Sequence, residues 1–226
     1  MSSHLAFPAN YTDTAGSYLP SPGARDQINF VHASPIAGSI LHFSQDQEIY
    51  GDGDNAEHFY KVVSGTVRSC KFLDDGRRHI ESFHVAGDIF GFEDAVRYSV
   101  NAEAVNDCTL ASYRKTQVVD DNHLRSQVFS SVMRDLARAH HHTMLLGCKS
   151  AREKMAGFLI EWAAIEPGCR AVNLVMSRQD IADYLGLTIE TVSRMMSLLE
   201  HQGYISRSGP RHVELKNRAA LRALDA

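Results

Sequence analysis

Four polar residues near the C-terminus, Glu190, Ser193, Arg194 and Ser197, stand at i, i+3, i+4 and i+7. On a helix that spacing puts them on one face. An arginine there can donate two hydrogen bonds to guanine O6 and N7, a glutamate can accept from cytosine N4, and a serine can reach a base edge or a phosphate. Val192, Met195 or Met196, and Leu199 fall on the opposite side, where a core would lie. A solvated helix with a Glu190–Arg194 ion pair would carry the same residues, so the flanking sequence decides. Ser177 followed by Asp180 is a helix start, with Met176 and Ile181 placed as a hydrophobic staple. Gly186-Leu187-Thr188 reads as a tight turn, and Thr188 caps a second helix with Leu187 and Val192 as its staple. After Gly203, Tyr204 to Leu215 reads as two short strands meeting at Ser208-Gly209-Pro210, a wing. Together these signals predict a winged helix-turn-helix whose second helix would enter the major groove of double-stranded DNA by its N-terminal end.

Other chemistry-bearing residues are poorly placed for catalysis. His58, His79 and His84 lie in a strand-like region but lack the His-x-His pair of a cupin metal site. His140, His141 and His142 are consecutive on a helical stretch, so they point about 100° apart and cannot converge on one ion within a chain. No nucleophile–base pairing or glycine-rich phosphate loop is visible, so a cupin-like metalloenzyme is only the weaker alternative and the expectation is no enzyme. Cys70, Cys108, Cys148 and Cys169 are widely spaced with no CxxC pair, which disfavours a disulfide framework or a zinc ribbon. No long apolar run and no signal-peptide pattern is present, so the expectation is a cytoplasmic protein without a membrane partner. The net charge of −4 is unevenly spread: residues 1–148 hold 12 Lys and Arg against 18 Asp and Glu, and residues 149–226 hold 11 against 9. The basic excess therefore sits with the DNA reader.

Three further segments precede that reader. Residues 1–35, punctuated by Pro8, Pro20, Pro22 and Pro35, read as an N-terminal arm. Residues 36–118 read as a β-roll or jelly roll: short alternating runs are punctuated by glycines, and Asp74-Asp75-Gly76 between Val67–Phe72 and His79–Val85 signals a hairpin. In residues 119–148 the period changes. Leu124, Val128, Val132, Leu136, Ala139, Thr143 and Leu146 form one stripe on a helix of roughly seven turns, about 40 Å long. Such a stripe either lies on the roll of its own chain or pairs with the same helix of a second copy. The second reading is favoured, because a groove reader of this kind acts in pairs. Residues 149–226 hold a second amphipathic helix from Ala151 to Ile165, stopped by Pro167-Gly168, and then the winged unit. The fold class is thus α+β: an N-terminal β-roll, a long dimerisation helix and a C-terminal winged helix-turn-helix.

In this order the chain resembles the CRP/FNR superfamily over nearly all its length beyond the arm. The carrying residues are Glu48 to Asp54, Val62-Val63-Ser64-Gly65, Gly87 to Glu93, and Ser177 to Arg194. The run Asp180-Ile181-Ala182-Asp183-Tyr184-Leu185-Gly186-Leu187-Thr188, followed by Ile189 to Arg194, is very specific, and Lys71 to Glu93 is most similar to the FixK subgroup. The resemblance implies a homodimer on a palindrome of TTGAT-type half-sites. Ile189, Glu190, Ser193 and Arg194 would face the bases. Ser177, Arg178, Gln179, Thr188, Thr191, Arg207 and Arg211 would sit against phosphates. Phe92, Glu93 and Asp94 would meet RNA polymerase, and the genes served would be those of microaerobic respiration, denitrification or nitrogen fixation. The departures imply that no cofactor is used. The first 69 residues contain no cysteine to build an iron–sulfur cluster of FNR type, and Phe92, Tyr98 and Ser99 stand where CRP holds cyclic AMP. A ligand-gated member of the superfamily is the alternative, and a scaffold is the weakest. Some FixK-like members carry cysteine where Ser177 stands; here the serine is explained as a helix cap.

Overall fold

A computed structural model describes residues 38–93, 96–165 and 169–225. The N-terminal arm, Asp94, and the Pro167-Gly168 stop lie outside the described residues.

The strands fall where glycine turns separate alternating runs. They are β1 (Ser39–Phe43), β2 (Glu48–Tyr50), β3 (His58–Ser64), β4 (Thr66–Phe72), β5 (Arg78–Val85), β6 (Ile89–Phe90), β7 (Asn101–Ala104) and β8 (Cys108–Arg114). They form two antiparallel four-stranded sheets, ordered β1-β8-β3-β6 and β2-β7-β4-β5. The β4–β5 hairpin turns at Asp74-Asp75-Gly76 as expected, with Gly76 at φ +82°. Gly65, between β3 and β4, has φ +85°, and a Cβ there would sit 2.5 Å from the Cβ of Cys108, so only glycine fits.

The roll interior is filled by the chain's own rings. Tyr50 stacks on Tyr98 at 3.6 Å between centroids, with Tyr60 and Phe90 beside them. His84 stacks on Phe90 at 4.9 Å, and its Nε2 shares a 2.8 Å hydrogen bond with the Ser69 hydroxyl.

A short helix α1 (Gln117–Asp120) leads into α2 (Asn122–Cys148), which is capped by the Asp121 carboxylate accepting from the amides of His123 and Leu124. The first turns of α2 lie on the roll. Leu124 and Val128, 6% and 4% exposed, pack with Val118 against Phe59 and Ile89. Ser131 Oγ accepts from the Ile89 amide, and Arg138 bridges Asp88 (3.0 Å) and Asp135 (2.6 Å). This corrects the sequence reading of a single dimer stripe. Leu124 and Val128 are used inside their own chain, and Leu146 is half-buried beside Gly186 of the DNA reader. The exposed apolar residues of α2 are Phe129 (66%), Val132 (43%), Met133, Leu136 (47%) and Met144, with Ala139 and Thr143 also exposed. The apolar stripe of α2 is therefore divided along its length, its first turns lying on the roll and Leu146 lying against the DNA reader.

Helix α3 (Ala151–Ile165) buries Met155, Phe158 and Leu159 and carries the C-terminal core. Around it lie β9 (Ala171–Asn173), α4 (Arg178–Leu185), α5 (Ile189–His201), β10 (Ile205–Arg207), β11 (His212–Leu215) and α6 (Arg218–Asp225). The wing strands β10 and β11 meet at Gly209, with φ +116°, and β9 adds a third strand to β11. Neither β9 nor α6 is evident from the sequence reading. Among the described residues no helix is long and apolar enough to cross a membrane.

Candidate nucleic-acid interface

Local signals build the interface. Ser177 caps α4: its hydroxyl accepts from the Asp180 amide at 3.0 Å, and Asp180 Oδ2 accepts from the Ser177 amide (2.9 Å) and hydroxyl (2.7 Å). Met176 and Ile181 are both buried, as a staple requires. Gly186 ends α4 in the left-handed region at φ +62°, and its amide and that of Leu187 both return to the Ala182 carbonyl. Thr188 caps α5, its hydroxyl accepting from the Thr191 amide at 3.2 Å.

Helix α5 then divides as its spacing requires. Val192, Met196 and Leu199 are fully buried, while Glu190, Ser193, Arg194 and Ser197 are exposed together on the other face. Ile189 is exposed beside them. Arg194 takes part in no ion pair among the described residues. The Glu190 carboxylate is held below its ordinary range by its own amide and the Thr188 hydroxyl, with Arg194 adding to the effect, so it is ionised at neutral pH.

The expected phosphate contacts divide. Thr188 and Gln179 are exposed, Thr191 is half-buried, and Ser177 is exposed although its hydroxyl is engaged in the cap. Gln179 donates to Asp183 Oδ1, and Arg178 donates to the Pro210 carbonyl at 2.9 Å, tying the start of α4 to the wing turn. Arg211 is exposed in that turn. Arg207 needs correction: it is not free at the wing tip. Its guanidinium grips Glu200 of α5 at 2.5 and 2.9 Å and reaches Ser197 Oγ at 3.3 Å, because β10 runs back along the recognition helix.

In the roll, the positions where CRP holds its nucleotide are otherwise engaged. Tyr98 is buried in the aromatic stack and donates to the His58 carbonyl at 2.6 Å, and the Ser99 amide donates to the Glu93 carboxylate. Phe92 is partly exposed, edge-on to Phe59. His79 donates to the backbone of Asp183 and His84 pairs with Ser69, and among the described residues no three metal-binding side chains converge.

A second set of contacts, invisible to local sequence patterns, joins the roll to α4. Arg68 on β4 meets Asp46, Glu103 and Asp180 at 3.1, 2.7 and 3.2 Å. Arg78 on β5 meets Asp180 and Asp183 at 2.5 and 2.8 Å. Burial alone would raise the Asp180 carboxyl, but the Ser177 hydroxyl and amide, with Arg68 and Arg78, hold it below its usual range.

A β-roll, a long helix and a winged helix-turn-helix with an unobstructed polar face define a DNA-binding transcription regulator rather than an enzyme. Residues 40–120 match the family model of the cyclic nucleotide-binding domain, and residues 153–224 match that of the Crp-like helix-turn-helix domain. The nitrogen fixation regulation protein FixK of Azorhizobium caulinodans is 45% identical over 198 residues, 84% of this chain and 80% of that protein. FixK of Rhizobium meliloti is 36% identical over 200 residues, 88% and 93% of the two. The solved structure of FixK2 from Bradyrhizobium japonicum superposes with a TM-score of 0.80 at 39% identity, covering 84% of this chain and 98% of that one. The chain belongs to the CRP/FNR family and is a regulator of FixK type.

Proposed function

We propose that the chain acts as a homodimer that reads an FNR-like palindrome of TTGAT-type half-sites, needs no effector, and in the main activates transcription by engaging RNA polymerase. The observation that carries the reading is the exposed face of α5. Glu190, Ser193 and Arg194 are held at a capped, well-packed helix N-terminus, and Arg194 has no ion-pair partner of its own among the described residues. Ile189 completes the base-reading set. The exposed portion of α2, from Phe129 through Leu136 to Met144, supports pairing with a second copy, since large apolar side chains in a helical row are otherwise left in water. The filling of the roll supports effector independence: Tyr50, Tyr60, Phe90 and Tyr98 pack together in its core, and Phe92, Tyr98 and Ser99 supply neither the carboxylate nor the arginine that cyclic AMP would require. Phe92 and Glu93, on the roll, are the residues offered to polymerase, together with Asp94. The named role of the similar FixK proteins extends the proposal to genes of nitrogen fixation; the family resemblance adds genes of microaerobic respiration or denitrification, served in the cytoplasm.

The test is a fluorescence-anisotropy titration of reduced, metal-free protein with a TTGAT-N4-ATCAA duplex and a scrambled control at stated salt. Tight binding to the first alone, without additive, is expected. Discrimination that appears only after a cyclic nucleotide or haem is added overturns effector independence.

A further inference from the structure

Helix α4 is gripped at both ends by elements outside the helix-turn-helix. At its N-terminus the Asp180 carboxylate is divided: Oδ2 closes the local cap with Ser177, and Oδ1 accepts from Arg68 Nη1 at 3.2 Å and Arg78 Nη2 at 2.5 Å. Asp183, one turn on, accepts from Arg78 Nε at 2.8 Å. At its C-terminus, where a helix leaves carbonyls without partners, three donors arrive from three elements. His79 of β5 donates to the Asp183 carbonyl at 3.2 Å, His142 of α2 to Tyr184 at 2.8 Å, and Lys154 of α3 to Leu185 at 3.2 Å. His142 also stacks on the Tyr184 ring at 4.0 Å.

Apolar contact between roll and reader exists, through Phe83 against Tyr184 and Trp162, but apolar contact is non-directional. The forked guanidinium pairs fix direction and register. Beyond them the hairpin tip and the start of α5 are separated by an open cleft of about 980 Å³ between Leu73 and Thr188. The recognition helix follows α4 through the short Gly186-Leu187-Thr188 turn and shares a core with it through Ile181, Leu185, Val192 and Met196, so wherever α4 is fixed relative to α2, α5 follows.

We infer that Arg68 and Arg78, through Asp180 and Asp183, are positioning residues that set the distance and angle between the two recognition helices, and so select the spacing between half-sites. The inference rests on the reading of a dimer on a palindrome. In this chain the latch does from within what a bound effector could do from outside: it chooses one orientation of the reader.

The experiment measures binding of the full chain to duplexes with two TTGAT half-sites separated by 2, 3, 4, 5 or 6 base pairs, and to a duplex with one half-site. Wild-type protein is expected to prefer one spacing. In Arg78→Gln, affinity for that spacing is expected to fall about tenfold, a change of about 1.4 kcal/mol, with binding to the single half-site nearly unchanged, so the spacing profile flattens. Asp183→Asn, which keeps the shape of the side chain, should flatten it less, and Arg78→Lys should restore part of it. Arg77→Gln removes the neighbouring guanidinium, which pairs with Asp75 of the hairpin and not with α4, and should keep the wild-type profile. Arg78→Gln or Asp183→Asn proteins that keep the wild-type profile, or that lose half-site and full-site binding equally, overturn the inference. A wild-type chain with no spacing preference overturns the dimeric reading itself.

Discussion

Arg194→Ala tests the base-reading face with the least disturbance to the fold. The side chain is exposed and makes no ion pair among the described residues, and alanine is the best helix former, so α5 keeps its core of Val192, Met196 and Leu199. On the proposed reading, what is lost is one bidentate contact to a guanine, worth about 1–3 kcal/mol of discrimination, or roughly 5- to 150-fold. Loss of the positive charge also weakens binding in general, and it leaves the ionised Glu190 facing the DNA without its neighbour at i+4. That general loss is common to any two duplexes of equal length and cancels in their ratio. The assay therefore compares the palindrome with a duplex in which the guanine of one half-site is replaced by adenine, at two salt concentrations. The wild-type ratio should lie in the range above and the variant ratio should approach one. A variant that binds both duplexes more weakly by the same factor, with a smaller salt slope, would place Arg194 on a phosphate and refute the assignment.

Three more outcomes follow from the packing. Val132→Asp should yield monomers in sedimentation with the single-chain fold intact by circular dichroism, since Val132 is exposed within its own chain; persistent dimers would move the interface elsewhere. Ser177→Ala should destabilise the DNA reader by about 1 kcal/mol in denaturant titration through loss of the cap hydroxyl, and an unchanged midpoint would show that Asp180 closes the cap alone. Burial pushes the His84 imidazole down to about 4, partly opposed by Asp88, and Arg138 pushes the same way as burial. A depressed histidine binds fewer protons folded than unfolded, so its contribution is full above pH 6.5 and is lost as pH falls towards 4. The melting temperature should drop across that window, and less so in His84→Gln.

Much of the architecture could be read locally because its signals are local. The Ser177-to-Asp180 cap, Gly186, Thr188 and the Asp74-Asp75-Gly76 turn each act within a few residues, and the structure places all of them as the sequence implies. The long helix was legible as a helix but not in its partners: a period of 3.6 marks an apolar face without saying what covers it. Leu124 and Val128 therefore read the same as Val132 and Leu136. Phe129, Met133 and Met144 lie off that stripe although they are among the most exposed apolar residues of α2. Arg207 looked like a tip residue because the sequence hides its partner Glu200 on the preceding helix. The α4 latch was out of reach for the same reason, since Arg68 and Asp180 are 112 positions apart and neither is unusual in its own neighbourhood.

The division of Asp180 between its two oxygens has a consequence for how this sequence can change. One carboxylate serves a cap three residues away and a latch on another domain, so its geometry is fixed from both sides. Removing Ser177 frees the carboxylate to turn towards the arginines, and removing Arg78 frees it to tighten on the cap. Each loss is partly absorbed only while the other partner stands. Substitutions at the two positions should therefore be epistatic, with a coupling of about 0.5–3 kcal/mol expected for residues sharing one network. Drift at the helix cap is thereby constrained by the roll, so two domains are bound to vary together at this one side chain.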